Sequence, residues 1–251
     1  MHQQLLFTRI LNHLFGAPVA ALLAAIHVHP ADLAAPINNI FSMELLVVLL
    51  LIVFFVVVRL TLSVEKPAAP QHIAELMNGF AGGQADEIIG HGYERYLPFV
   101  TSIFLFVICC NLIGLIPGIE TPTSRPYVPF GLAVLTFIYY NYHGLRAQGV
   151  AGYFKHFLGP IWWIAPLLFP IEIISHLARM MSLTIRLYAN MFASDLLTLV
   201  FFSLIPFGVP IVFLGLHAFV SVIQAYVFML LAIIYLSQAV SHEGEEHEEG
   251  I

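Results

Sequence analysis

The chain alternates long apolar runs with short polar stretches. Met43 to Leu62 is a nearly unbroken series of Leu, Val, Ile and Phe. At about 1.5 Å per residue such a helix crosses a hydrocarbon core about 30 Å thick. Glu65-Lys66-Pro67 and Pro70 end it, because proline cannot continue a helix interior. Comparable runs occupy residues 97–116, closed by Pro117-Gly118, then 128–145, 161–204 and 211–240. Pro122, Pro126 and Pro129 mark one loop, and Arg146, Lys155 and several glycines mark another. Pro206 and Pro210 punctuate the junction of the last two runs, which the pattern predicts to be long helices forming a hairpin.

Three segments depart from this pattern. Residues 71–96 mix Glu75, Asp86, Glu87, Glu94 and Arg95 with Ile73, Leu76, Met77, Phe80, Ile88 and Ile89. That is too polar to span, and it predicts an amphipathic helix at the membrane interface with a break at Gly82-Gly83. Near the N-terminus, Arg9 and the Ala-rich stretch to Ala25 mimic a signal peptide, but Pro18 interrupts them and no clear cleavage site follows. We expect a retained segment, residues 1–42, lying along the membrane surface. Residues 241–251 gather five glutamates between Glu243 and Glu249. A solvated, disordered tail is expected there in preference to metal capture by His242 and His247.

Composition fixes the solvent. Of 251 residues, 60% are hydrophobic and only 10% are charged, whereas soluble domains carry about 25% charge. The fold class expected is all-α: a polytopic membrane protein of about five membrane helices plus one amphipathic interfacial helix. The net charge of −6 reflects the C-terminal glutamates. Cys109 and Cys110 are adjacent within an apolar run and act as small packing residues. Zinc-ligand spacing, a phosphate-cradling glycine loop and a basic nucleic-acid patch are all lacking, so neither cofactor nor metal is expected.

Orientation follows from the loop cations. With five spans, Arg59, Lys66, Arg95, Arg146 and Lys155 fall on the side of the C-terminus, five in all, against Arg9 and Arg125 on the other. Positive loops stay inside. The C-terminus is therefore expected in the cytoplasm and the N-terminus outside.

The run 161–204 carries Glu172, His176, Arg179, Arg186, Asn190 and Asp195 at membrane depth. A lone Ser, Asn or His in a span is most often a packing or helix–helix contact. An arginine at the bilayer centre costs about 2.5–3.5 kcal/mol on insertion scales, so its presence calls for a function. At 100° per residue, Ser182, Arg186 and Asn190 share one face, and Arg179 joins them. Asp195, nine residues beyond Arg186, points the opposite way and lies about 13.5 Å along the axis. On the final helix, His217, Gln224 and Tyr235 form one polar stripe, each spacing returning to within about 20° of the same face. The result is two polar lanes. Asp195 and His217 exchange protons in one, while Ser182 and Asn190 hold water without titrating in the other. Arg186 stands between them, permanently charged because its pKa exceeds about 12.

The stretch from Met181 to Leu196, MSLTIRLYANMFASDL, closely resembles the hallmark segment of ATP synthase subunit a. Ile223 to Leu231 resembles that family's last-helix motif, Asn111 to Pro117 its Asn-Leu-hydrophobic-Pro motif, and Gln71 to Phe80 its amphipathic segment. The resemblance implies a stator subunit whose last two helices, long and steeply tilted, pack against a rotating ring of carboxylate-bearing c subunits. Protons then use two half-channels. Arg186 matches the essential arginine between them and Gln224 the glutamine facing it. Asp195 and His217 match the outer half-channel, and Ser182 and Asn190 the inner one. Glu172 and Arg179 match charged positions near the inner mouth. Asn111 and Ser124 are the outer-vestibule candidates. The implied partners are the c-ring, subunit b of the peripheral stalk and the rest of the complex, in a bacterial inner membrane; the chain alone is not an enzyme. Two departures fall in the outer vestibule: Thr123-Ser-Arg-Pro-Tyr-Val128 lacks the family's frequent acid, and Gly114 stands where some members carry one. The alternatives are a sodium-coupled version of the subunit, a secondary transporter, for which no internal repeat is visible, and an intramembrane protease using Ser182 and His217, for which no flanking nucleophile motif exists.

Overall fold

The computed structural model describes residues 5–25, 36–63, 67–116, 119, 121–158, 165–204 and 208–240. Within them the chain forms seven helices: α1 (Leu6–Ala25), α2 (Asn39–Leu60), α3 (Ala69–Ile89), α4 (Leu97–Ile113), α5 (Tyr127–Leu158), α6 (Ala165–Leu204) and α7 (Val209–Val240). Short 3-10 turns lie at Tyr93–Arg95 and Pro122–Ser124. The acidic tail, Glu65-Lys66, Pro117-Gly118, Pro206 and the start of the expected run at 161 lie outside the described residues. By length and composition α1, α2, α6 and α7 suffice to cross a membrane, and α4 is a shorter apolar helix of 17 residues.

The helices begin where local chemistry favours it. Asn38 caps α2 by accepting the Phe41 amide hydrogen at 2.7 Å. Pro70 and Pro98 sit in the first turns of α3 and α4, where a missing amide hydrogen costs nothing. The final hairpin is present: α6 and α7 pack against each other, and α4 and α5 pack on them. The buried core joins Val100, Ile103 and Phe104 of α4, Leu183, Leu187 and Met191 of α6, and Phe228, Met229 and Ile233 of α7. Outward faces carry bare apolar side chains such as Leu50, Ile52, Leu199 and Ile211, as a bilayer-facing surface requires.

Four local expectations change. First, α3 runs unbroken through Gly82-Gly83. Ala81, Gly82 and Ala85 form a small-residue stripe buried against neighbouring helices, and a Cβ at Gly82 would stand 3.6 Å from Leu97. Close packing rather than a bend accounts for that glycine. The chain turns instead at Gly90 and Gly92, with φ of 77° and 88°. Second, α5 continues past Leu145 to Leu158, so Arg146 and Lys155 lie in helix, interrupted at Gly149 with φ 71°. Third, α1 runs through Pro18, since losing one backbone bond kinks a helix without ending it. Fourth, α1 is itself long and apolar enough to cross a membrane. Its recorded contacts gather at one end of α2, however. The Leu5 amide donates to Asn39, and Asn12 exchanges two 3.0 Å hydrogen bonds with the backbone of Ile37.

Candidate functional site

The site is built on α6, whose 40 residues carry polar groups on both sides of Arg186. Arg186 lies on the outward face and donates to the Ser182 hydroxyl at 3.3 Å. Arg186 is half-buried, and neighbouring Ser182, Ala189, Asn190 and Ala193 are exposed. The face around the arginine is therefore lined by small and polar side chains, which leave room for another surface to approach. Asn190 donates to the Gln224 side-chain oxygen at 2.6 Å, tying α6 to α7. Gln224 is only 3% exposed. The i, i+4 geometry thus holds for Ser182 and Arg186, while Asn190 turns partly toward the neighbouring helix.

Asp195 lies on the other side, as the helical angle requires. It accepts a 2.7 Å hydrogen bond from the Thr121 hydroxyl, and its carboxylate stands 3.7 Å from His217 Nδ1. Ser124 donates to the Thr121 carbonyl at 2.7 Å, which fixes the turn presenting that threonine. Thr123 donates to Asn111 at 2.6 Å, and Asn111 in turn donates to the Ser221 carbonyl on α7 at 3.3 Å. A cleft of about 440 Å³ opens beside Asp195 and His217, bounded by Gly114, Ile119, Thr198 and Leu214 among others. The arrangement suits proton exchange: a carboxylate and an imidazole in reach of each other, a hydroxyl-lined wall, and space leading to them.

Gly114 belongs to this pocket. A Cβ added there would collide with the Thr121 hydroxyl. The missing side chain makes room for the threonine that bonds Asp195.

Toward the other end of α6, Glu172 lies 3.4 Å from His176 Nε2, and His176 Nδ1 lies 3.0 Å from the Tyr140 hydroxyl of α5. The Arg179 guanidinium sits over the Tyr235 ring of α7, 5.5 Å from its centroid, a cation–π contact. Tyr235 also packs near Tyr140, their ring centroids 6.1 Å apart.

Sequence reasoning brought Asp195 with His217, Ser182 with Arg186, and Asn111 and Ser124 into the polar wall near Asp195. It missed Thr121, Thr123 and Ser221 in that wall and Tyr140 beside Glu172, and it named His176 at membrane depth without giving it a role. The Thr-Pro-Thr-Ser run of the turn was the available signal for the first two. It also passed over Glu44 in the first apolar run, a half-buried carboxylate with one oxygen lacking a hydrogen-bond partner among the described residues.

Residues 40–237 match the family described as the ATP synthase A chain. The chain belongs to the ATP synthase subunit a family. It is 56% identical to the ATP synthase subunit a of Koribacter versatilis, over 96% of this chain and 99% of that one. It is 48% identical to that of Solibacter usitatus, over 92% of this chain and 98% of the relative, and 43% identical to that of Sulfurimonas denitrificans, over 70% and 80%. The matched region takes in all but the first residue of α2, all of α3 to α6 and all but the last three residues of α7. As a subunit a with apolar spanning helices, the protein is an integral-membrane component of the ATP synthase complex.

Proposed function

We propose that this subunit is the proton-carrying stator of the complex, offering two half-channels to the carboxylates of a c-ring, with Arg186 as the electrostatic divide. The observation that carries this reading is the placement of polar groups on α6. Asp195 turns toward the buried Thr121 hydroxyl and His217, whereas Arg186 and Ser182 face outward. Arg186 is a fixed charge that cannot relay a proton by losing its own. Facing outward, it meets a ring carboxylate, holds it ionised and blocks a continuous proton wire. Gln224 braces this region through Asn190. Asn111, Ser124, Thr121 and Thr123 line the outer approach to Asp195 and His217. Ser182, Asn190, Arg179, Glu172 and Tyr235 line the inner one. In this reading the N-terminal segment, bonded to the start of α2, lies at the outer surface and the C-terminus inside, as the loop cations favour, and subunit b is among the partners.

The protonatable pair Asp195–His217 favours protons over sodium as the coupling ion. Purification in mild detergent tests the assembly: co-migration with a ring of c subunits and with soluble nucleotide-binding subunits is expected. ATP-driven ion uptake into inverted vesicles in sodium-free buffer tests the ion. Uptake collapsed by a protonophore is expected, and a strict sodium requirement would overturn the proton assignment.

A further inference from the structure

We propose that His176, held between Tyr140 and Glu172, is the proton-transfer group at the inner mouth of the pathway. This rests on the two-lane reading above and deepens it by assigning the inner terminus. Three observations carry it. The first is position. His176 lies ten residues from Arg186 along α6, about 15 Å, on the side away from Asp195, which lies about 13.5 Å in the other direction. Each side of the arginine thus has one carboxylate–imidazole–hydroxyl set: Asp195, His217 and Thr121 on one, Glu172, His176 and Tyr140 on the other. The second is geometry. Both ring nitrogens of His176 are engaged, Nδ1 at 3.0 Å from the Tyr140 hydroxyl and Nε2 at 3.4 Å from Glu172. A histidine gripped at both nitrogens passes a proton through its ring without leaving its place. The third is access. The His176 side chain is 13% exposed and that of Glu172 is 27% exposed, so the carboxylate is the more open end. The ring is screened by Phe137 and Tyr140 of α5.

The transfer balances simply. With Nδ1 unprotonated, the Tyr140 hydroxyl donates to it. A proton arriving from the lane beside Arg186 adds to Nδ1 as that hydroxyl rotates to accept. The imidazolium then loses its Nε2 proton to the Glu172 carboxylate, and the carboxyl gives it to water. The ring is then protonated on Nδ1 alone, and it regains its starting tautomer by giving that proton to water at the inner mouth and taking one from the same water at Nε2, an exchange with no net transfer, so that one proton leaves for each taken up; reversal gives uptake during ATP-driven pumping. Among the described residues, the charged and titratable groups next to this cluster include Arg179 on the same helix, which is engaged with the Tyr235 ring, and Tyr235 itself on α7.

The test uses the whole complex in inverted vesicles, where the inner mouth faces the medium and its pH is controlled directly. In His176→Gly, ATP-driven pumping is expected to slow about tenfold or more above neutral pH, with a changed dependence on medium pH. Imidazole added to the medium should restore much of the rate. Tyr140→Phe and Glu172→Gln should shift the same profile without abolishing pumping, and they carry the test if the glycine variant assembles poorly. A wild-type pH profile in these variants, or no rescue by imidazole in an assembled His176→Gly complex, would overturn the proposal. Arg186→Ala, run in parallel, separates the two layers. If it pumps, the two-lane reading itself fails. If it does not pump while the His176 variants behave as wild type, only the inner-mouth assignment fails.

Discussion

The two ends of α6 use the same chemical vocabulary in different surroundings. Around Asp195 the partners are small hydroxyls and an amide, Thr121, Thr123, Ser124 and Asn111, drawn from α4 and the following turn, with a cleft of about 440 Å³ beside them. Around Glu172 the partners are rings: His176, Tyr140, Tyr235 and Phe137, with Arg179 laid across one of them. Hydroxyls pass hydrogen bonds in either sense, and those beside Asp195 are buried, so the Asp195 end is a hydrogen-bonded wall next to a mostly apolar cleft. Aromatic walls exclude water and hold a few polar atoms at set distances, so the Glu172 end reads as a narrow relay. The difference teaches that a proton path needs no uniform lining. It needs titratable groups at intervals and an environment that fixes how each is reached.

The comparison breaks most sharply at the acid. Asp195→Asn removes the titratable oxygen and leaves the bond to Thr121 available, so proton flux from the outer side should fall about 100-fold. The check is ATP synthesis driven by an imposed pH gradient, and near-normal synthesis would show that the acid is not on the path. His217→Gln keeps a hydrogen-bonding side chain without its titration, and about a tenfold loss in the same assay is expected. Its dependence should fall on outer pH alone, in contrast to the His176 variants. Thr121→Val deletes one hydrogen bond, worth about 1 kcal/mol, and should slow flux no more than about fivefold. Gly114→Ala is expected to act through the same threonine by pushing it off Asp195. Its effect should be of similar size and should add little to that of Thr121→Val, because the two changes strike one contact. Additive losses in the double variant would mean that Gly114 and Thr121 act separately.

Much of this was legible in the chain. Apolar runs gave most of the long helices and the final hairpin, because a bilayer demands long uninterrupted helices and leaves their mark on composition. Helical angle alone put Asp195 and Arg186 on opposite sides of α6, and the bonds to Thr121 and Ser182 agree. What escaped depends on contacts between distant segments. Thr121 meets Asp195 across 74 positions, and Asn111 meets Ser221 across 110, separations at which no periodicity applies. The glycine pair in α3 misled for a related reason: Gly82 suits a bend or a close contact equally well in sequence, and only the packing of Leu97 and Tyr93 against it decides. Pro18 likewise reads as a break, though a helix of 20 residues carries it with one lost backbone bond.

The central claim is that Arg186 divides the two ends rather than joining them. ATP-driven acidification of inverted vesicles carrying Arg186→Ala, with assembly confirmed by co-purification of the c-ring, tests it most directly. The account predicts a loss of pumping of about 100-fold or more, the scale expected when one preorganised charge is removed from a low-dielectric site. Arg186→Lys should restore it only in part, because an ammonium sheds its proton in apolar surroundings. Coupled pumping at wild-type rates in the assembled Arg186→Ala complex would contradict the claim.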